Sequence, residues 1–152
     1  MCIMNNEVID ILVVEDNAND RVSIVDALKS TIENVRVAAV NDGTSALDFL
    51  NARGEYKDRL DAPPPRLILL DLSLPGASGF SVLGQIRAIV ENDELILTPV
   101  VIFSDSIADG DITKSYRCGA NSYIIKPLSF PDFQAVIKVI GQYWMTHNKT
   151  SV

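Results

Sequence analysis

Leu67-Ile68-Leu69-Leu70 runs straight into Asp71, and Pro75-Gly76 turns the chain soon after. A continuous apolar run of this length, bounded by turn residues, fits a strand buried on both faces. Such a strand restricts the fold, because both faces of its sheet must be covered by helices. In an open α/β sheet, ligands bind outside the carboxyl ends of the strands. Asp71 is expected at that end, as a functional carboxylate or as a loop residue capping the next helix. The rest of the chain decides for the first.

The pattern recurs. A first strand is expected over Val8–Val14, ending at Glu15-Asp16. Asn17 or Asn19 then caps a helix in which Val22, Val25, Leu28 and Ile32 recur at helical spacing. A second strand covers about Val35–Val40, and Asn41-Asp42-Gly43 turns the chain. Thr44 caps a short helix with Ala46, Leu47, Phe49 and Leu50 facing inward. Residues 51–65 read as a long, charged surface loop ending in Pro63-Pro64-Pro65, which stiffens the approach to Leu67–Leu70. A third helix carries Phe80, Leu83, Ile86 and Val90, and Glu91-Asn92-Asp93-Glu94 forms a solvated acidic corner. Thr98-Pro99 opens a fourth strand, Val100–Phe103, which stops at Ser104. Asp109–Arg117 makes a short helix weakened by Gly110. Gly119-Ala120-Asn121 turns into a fifth strand, Ser122–Ile125, ending at Lys126-Pro127. The last helix spans about Phe130–Thr146, with Phe133, Val136, Ile137, Ile140 and Trp144 on one face.

Strands alternating with helices imply right-handed crossovers and an α/β fold with a parallel sheet. The expected sheet is doubly wound and five-stranded, in the flavodoxin-like order 2-1-3-4-5. Expected boundaries are a tail over 1–7, one domain over 8–147 and a polar tail over 148–152. With 47% apolar and 22% charged residues, 152 residues suit one soluble domain. The net charge of −7, without a basic run, argues against nucleic acid or an anionic membrane as partner. Cys2 and Cys118 show no zinc-site spacing and read as free thiols of a reducing compartment. No apolar run has membrane-spanning length, and the acidic start MCIMNNEVID does not read as a signal peptide, so a cytoplasmic location is expected.

The strand ends then converge. The first supplies Glu15 and Asp16, the third Asp71, the fourth Ser104 and the fifth Lys126. In the order 2-1-3-4-5 the first and third strands are neighbours, so these carboxylates crowd into one crevice opposite one lysine. A hard divalent cation relieves that repulsion, and Mg²⁺ retains waters that a phosphate oxygen can replace. Ser104 and Lys126 offer donors to the other phosphoryl oxygens, and Asp71 can act as nucleophile toward the phosphoryl group. Taken singly, Glu15 and Asp16 could be acids at a helix N-terminus, Ser104 a turn cap and Lys126 a surface charge.

The motifs VVEDN, LLDLSLPGASGF, PVVIFS and GANSYIIKPLS resemble those of the receiver domain of two-component response regulators, over roughly Val8 to Thr146. The resemblance implies that Glu15 and Asp16 hold Mg²⁺, with Asp71 and the backbone carbonyl of Ser73 completing the metal site. It implies that Asp71 accepts a phosphoryl group from a histidine kinase, that Lys126 and Ser104 contact that group, and that Tyr123 reorients with Ser104 as the switch. It implies a cis Lys126–Pro127 bond. The long connections over 51–65 and 89–98 and the aromatic Gln142-Tyr143-Trp144 resemble the small stand-alone regulators that serve phytochrome-type kinases. No DNA-binding output domain is expected after Val152. Signalling through protein partners then follows, including a homodimer through the fourth helix, fifth strand and fifth helix. Phe133, Val136, Ile140 and Trp144 either supply that surface or face the sheet.

One residue departs from the family pattern. Asp105 follows Ser104, where receivers usually carry a small residue at the phosphoryl entrance. It either repels an incoming dianion, as a modulating residue, or points outward. A pseudo-receiver, binding partners constitutively with little phosphorylation, is the competing reading that Asp105 supports. A flavodoxin is disfavoured because the first loop is acidic, not glycine- and hydroxyl-rich. An aspartyl phosphohydrolase is disfavoured because Ser73 stands where a second acid would protonate the leaving group.

Overall fold

Residues 7–89 and 93–150 are described by a computed structural model. Cys2, Val90, Glu91 and Asn92 lie outside the described residues. Each apolar run predicted as a strand becomes one: β1 Ile11–Val14, β2 Val37–Val40, β3 Leu67–Leu70, β4 Val100–Ser104 and β5 Ser122–Ile125. All pairings are parallel, in the order β2-β1-β3-β4-β5. The predicted doubly wound topology is therefore the observed one.

Side chains on a strand alternate between its faces, and here each set meets a different helix layer. Ile11 and Val13 of β1, Leu67 and Leu69 of β3, and Val101 and Phe103 of β4 share one core. That core is closed by α1 (Ala18–Thr31) through Ile24 and Leu28, and by α6 (Phe130–Gln142) through Ile137 and Ile140. Leu12, Val14, Ile68, Leu70 and Ile102 point the other way, onto Ala46 and Phe49 of α2 (Gly43–Asn51) and Leu83 and Ile86 of α3 (Gly79–Ala88). A short turn, α4 (Asp93–Ile96), and α5 (Asp109–Arg117) complete the chain order, so the fourth predicted helix is α5 and the fifth is α6.

Several local expectations need correction. β1 and β2 start later than predicted, at Ile11 and Val37; Val8 is exposed, whereas Ile9 is buried. Asn17 is the α1 cap, its side chain accepting from the Asp20 amide. Val22 is exposed because its face of α1 borders a solvent cleft; Ile24, Ala27 and Leu28 are buried instead. Asp42, not Thr44, caps α2, since its carboxylate accepts from the Ser45 amide. The loop over 51–65 contains a 3₁₀ helix, Gly54–Arg59, and buries Arg59 against the Phe49 ring. α6 ends at Gln142 and continues as a π-helical turn, Tyr143–His147. Phe133 and Ile140 are buried and Val136 and Trp144 half-buried, all packed in the sheet-facing core. Cys118 is a free, half-buried thiol. Among the described residues no helix is long and apolar enough to cross a membrane.

Candidate functional site

Register brings the strand ends together. Val14 lies opposite both Val40 and Leu70, so Glu15 and Asp71 leave neighbouring strands at one level. Leu70 pairs with Ile102, and Ser104 with Ile125, which sets Ser104 and Lys126 beside them. Backbone bonds run past the strand ends, from the Glu15 amide to the Val40 carbonyl (3.1 Å), Asp71 to Val14 (3.1 Å) and Lys126 to Ser104 (2.8 Å). These bonds extend the sheet's pairing by one residue and so fix the backbone from which the functional side chains leave. Gly79 lets α3 begin against the end of β3, because a Cβ there would overlap the Asp71 carbonyl oxygen.

Lys126 is the hub. Its buried Nζ donates to both Glu15 carboxylate oxygens at 3.0 Å, to Asp20 Oδ2 at 3.0 Å and to Asp71 Oδ2 at 3.2 Å. Glu15, Asp71 and Lys126 are buried, whereas Asp16 is exposed. Burial, the first cause, and then the neighbouring Asp71 push the Glu15 carboxyl up to about 8, although Lys126 opposes this. Burial alone would lower the Lys126 ammonium, but Asp71, Glu15 and Asp20 outweigh it and hold the group above an ordinary lysine. Arg21 Nη1 donates to the backbone carbonyls of Glu15 (2.9 Å) and Asp16 (3.3 Å), pinning the acidic corner.

Glu15, Asp16 and Asp71 each place one carboxylate oxygen within 4.8 Å of the others. The donors are hard oxygens, and burial first and the neighbouring Asp71 second raise the Glu15 carboxyl. That set fits a divalent cation such as Mg²⁺ or Mn²⁺. Ser73 lies on the exposed loop after β3, its amide donating to Asp71 Oδ1 at 3.3 Å.

The other predicted residues form a second, adjoining group. Ser104 is buried, and its Oγ accepts from the Ser106 amide at 3.2 Å. Tyr123 is half-buried and its hydroxyl donates to the Ser106 carbonyl at 2.8 Å. Asp105 is exposed and lines a cleft of about 610 Å³ together with Asp20, Lys126 and Phe130. Two residues were missed from sequence. Asp20 stands in the first turn of α1, four residues after Asp16, and that place is its sequence signal. Ser106 carried no sequence signal. Every peptide bond among the described residues is trans, Lys126–Pro127 included, contrary to expectation. Before proline the two isomers differ by only about 0.5–1 kcal/mol, so the residues themselves do not dictate the form.

A family model described as the response regulator receiver domain matches residues 11–138. The chain is a response regulator receiver domain. This receiver is 36% identical over 140 residues to the probable methanogenesis regulatory protein FilR2 of Methanothrix harundinacea, covering 92% of this chain and 86% of that protein. It is 33% identical over 135 residues to the response regulator Rcp1 of Synechocystis, covering 89% of this chain and 88% of that protein. Among solved structures, the phosphorylated cyanobacterial phytochrome response regulator RcpA superposes with a TM-score of 0.86 at 34% identity, covering 96% of this receiver and all (100%) of that chain. The Mn²⁺-bound form of Rcp1 superposes with a TM-score of 0.83 at 32% identity, covering 93% of this receiver and 98% of that chain. The receiver therefore resembles stand-alone phytochrome response regulators.

Proposed function

We propose that Asp71 is the phosphoacceptor of this receiver, which acts as a single-domain response regulator. The supporting observation is the buried Lys126 ammonium, 3.2 Å from Asp71 Oδ2 at the carboxyl end of the sheet. An Asp71 carboxylate oxygen attacks the phosphorus of a phosphohistidine; the P–N bond breaks and the imidazole leaves. Lys126 then moves a charge-assisted bond from Asp71 to a phosphoryl oxygen, and the Ser104 hydroxyl takes another. Mg²⁺ held by Glu15, Asp16, Asp71 and the Ser73 backbone carbonyl would supply the charge neutralisation that lets a dianion approach. In this reading the receiver assists its own phosphorylation and dephosphorylation.

The donor in this reading is a cytoplasmic histidine kinase of phytochrome type, supported by the likeness to Rcp1 and RcpA. Residues 8–147 form the signalling unit. The output is a protein-binding surface on α5, β5 and α6, which switches when Ser104 and Tyr123 reorient. Ile125 and Val139, exposed on β5 and α6, suit contact with a second copy or another protein. Acetyl phosphate with Mg²⁺, read by intact-protein mass and peptide mapping, tests the assignment. Wild type should gain one phosphoryl group, and Asp71→Asn should lose essentially all of it. Full labelling of Asp71→Asn overturns the site. A wild type that takes no label supports the pseudo-receiver, with Asp105 as its cause.

A further inference from the structure

Ser106 makes four hydrogen bonds on the loop between β4 and α5. Its amide donates to Ser104 Oγ (3.2 Å), its Oγ donates to Asp111 Oδ2 (2.6 Å) and accepts from the Ala108 amide (3.3 Å), and its carbonyl accepts from the Tyr123 hydroxyl (2.8 Å). A serine hydroxyl has one proton and two acceptor sites. The Ser106 amide fills one acceptor site of Ser104 and so fixes how that hydroxyl can rotate. The proton of Ser104 remains available to donate. Asp111 sits in the first turn of α5 and is partly buried, so the Ser106–Asp111 bond to a charged acceptor is strong and ties the loop to the helix.

We propose that Ser106 is a positioning residue: clamped by Asp111 and Tyr123, it presents the Ser104 hydroxyl to the phosphoryl group on Asp71. The proposal rests on the phosphoacceptor reading above. The mechanism needs the side chain of Ser106, not merely a small residue in a loop.

Beryllofluoride, an analogue of the aspartyl phosphate, provides the probe, with Mg²⁺ present throughout. Ser106→Ala and Asp111→Ala should each weaken beryllofluoride binding by about three- to tenfold, the range expected from losing one such hydrogen bond. Ser106→Thr, which keeps the hydroxyl, should restore most of the affinity. The deciding readout is a double-mutant cycle. In a Ser104→Ala background, Ser106→Ala should have no further effect, because it acts through the Ser104 hydroxyl. Equal losses in both backgrounds would show a general loop effect and overturn the proposal. Amide exchange separates this outcome from failure of the phosphoacceptor reading. If wild type takes no beryllofluoride at Asp71, that reading falls, and the clamp is judged by exchange at the Ser106 amide in the free protein. Asp111→Ala should accelerate that exchange by about tenfold if the clamp stands; unchanged exchange overturns it.

Discussion

Lys126 and Arg87 are both cations drawn into the protein, but their partners differ. Lys126 Nζ meets the carboxylates of Glu15, Asp20 and Asp71. Arg87 meets neutral oxygens: Nε donates to the Gly119 carbonyl, Nη1 to the Ile96 and Thr98 carbonyls, and Nη2 to Asn121 Oδ1, at 2.8–2.9 Å. Burial lowers the affinity of both groups for their proton; acids reverse that for Lys126, and it stands for Arg87. The Arg87 fork fastens the loop before β4 to the turn before β5, and Gly119 takes its left-handed φ of +105° against the arginine stem. Its partners cannot gain or lose charge, so it is a static fastening. The Lys126 cluster contains like charges packed together, and its balance would change if a cation or a phosphoryl group arrived. Buried charge that can be rebalanced belongs to chemistry, whereas buried charge held by carbonyls belongs to architecture.

The sharpest way to break this contrast is to remove each cation. Without metal, Lys126→Met should cost about 3–5 kcal/mol, because it leaves buried carboxylates without their counter-charge. Arg87→Met should cost about 2–4 kcal/mol through carbonyls left without donors. Saturating Mg²⁺ should return much of the first loss and none of the second. Urea unfolding with and without Mg²⁺ measures both, and equal rescue of the two variants would dissolve the distinction.

The effect of pH on the metal is expected to be smaller. The Glu15 carboxyl is pushed from 4.5 up to about 8, so across that window the folded, metal-free protein holds a proton that the unfolded chain has released. Metal-free stability therefore falls as pH rises through the window. Mg²⁺ bound there should displace that proton, so its affinity should rise with pH, by up to about tenfold per unit, and level off above the Glu15 value. Calorimetry at several pH values should show proton release on binding. A flat affinity, or no loss of affinity in the Glu15→Gln/Asp16→Asn double variant, would move the cation elsewhere.

The smallest effect concerns Asp105, which adds a carboxylate to the cleft beside Lys126. Its repulsion of an incoming anion is partly screened because the side chain is exposed. Asp105→Ala should speed loading from acetyl phosphate by about three- to tenfold at low ionic strength, with a smaller gain in high salt. A kinase donor, held by its own docking contacts, should gain less. An unchanged rate would show that the cleft does not sense this charge.

The functional reading from sequence depended on where apolar runs stop. Leu67–Leu70 before Asp71, Val100–Phe103 before Ser104 and Ser122–Ile125 before Lys126 each end a strand where function is expected, and the observed register aligns those ends. Errors arose where a side chain's partner decided the outcome. Val22 has helical spacing but borders the cleft, and Thr44 is a good capping residue that Asp42 displaced. Arg59, read as part of a charged surface loop, is buried over Phe49. Phe133 and Ile140 had two readings, a contact surface or the sheet face, and packing against the sheet decides for the second.

Sequence alone determined the layered parallel sheet and the residues at its carboxyl edge, whereas its order was expected from the fold type and is set by the observed pairings. Burial periodicity and turn chemistry are local properties, readable within one element. Tertiary structure decided who meets whom. Asp20 reaches Lys126 across 106 positions, and Arg87 reaches Gly119 across 32 and Asn121 across 34. Ser106, only two residues from Ser104, became significant because folding brought the Tyr123 hydroxyl, 17 positions away, onto its carbonyl. A residue type states which bonds a side chain can make. The short range and directionality of hydrogen bonds leave the choice of partner to the packed backbone.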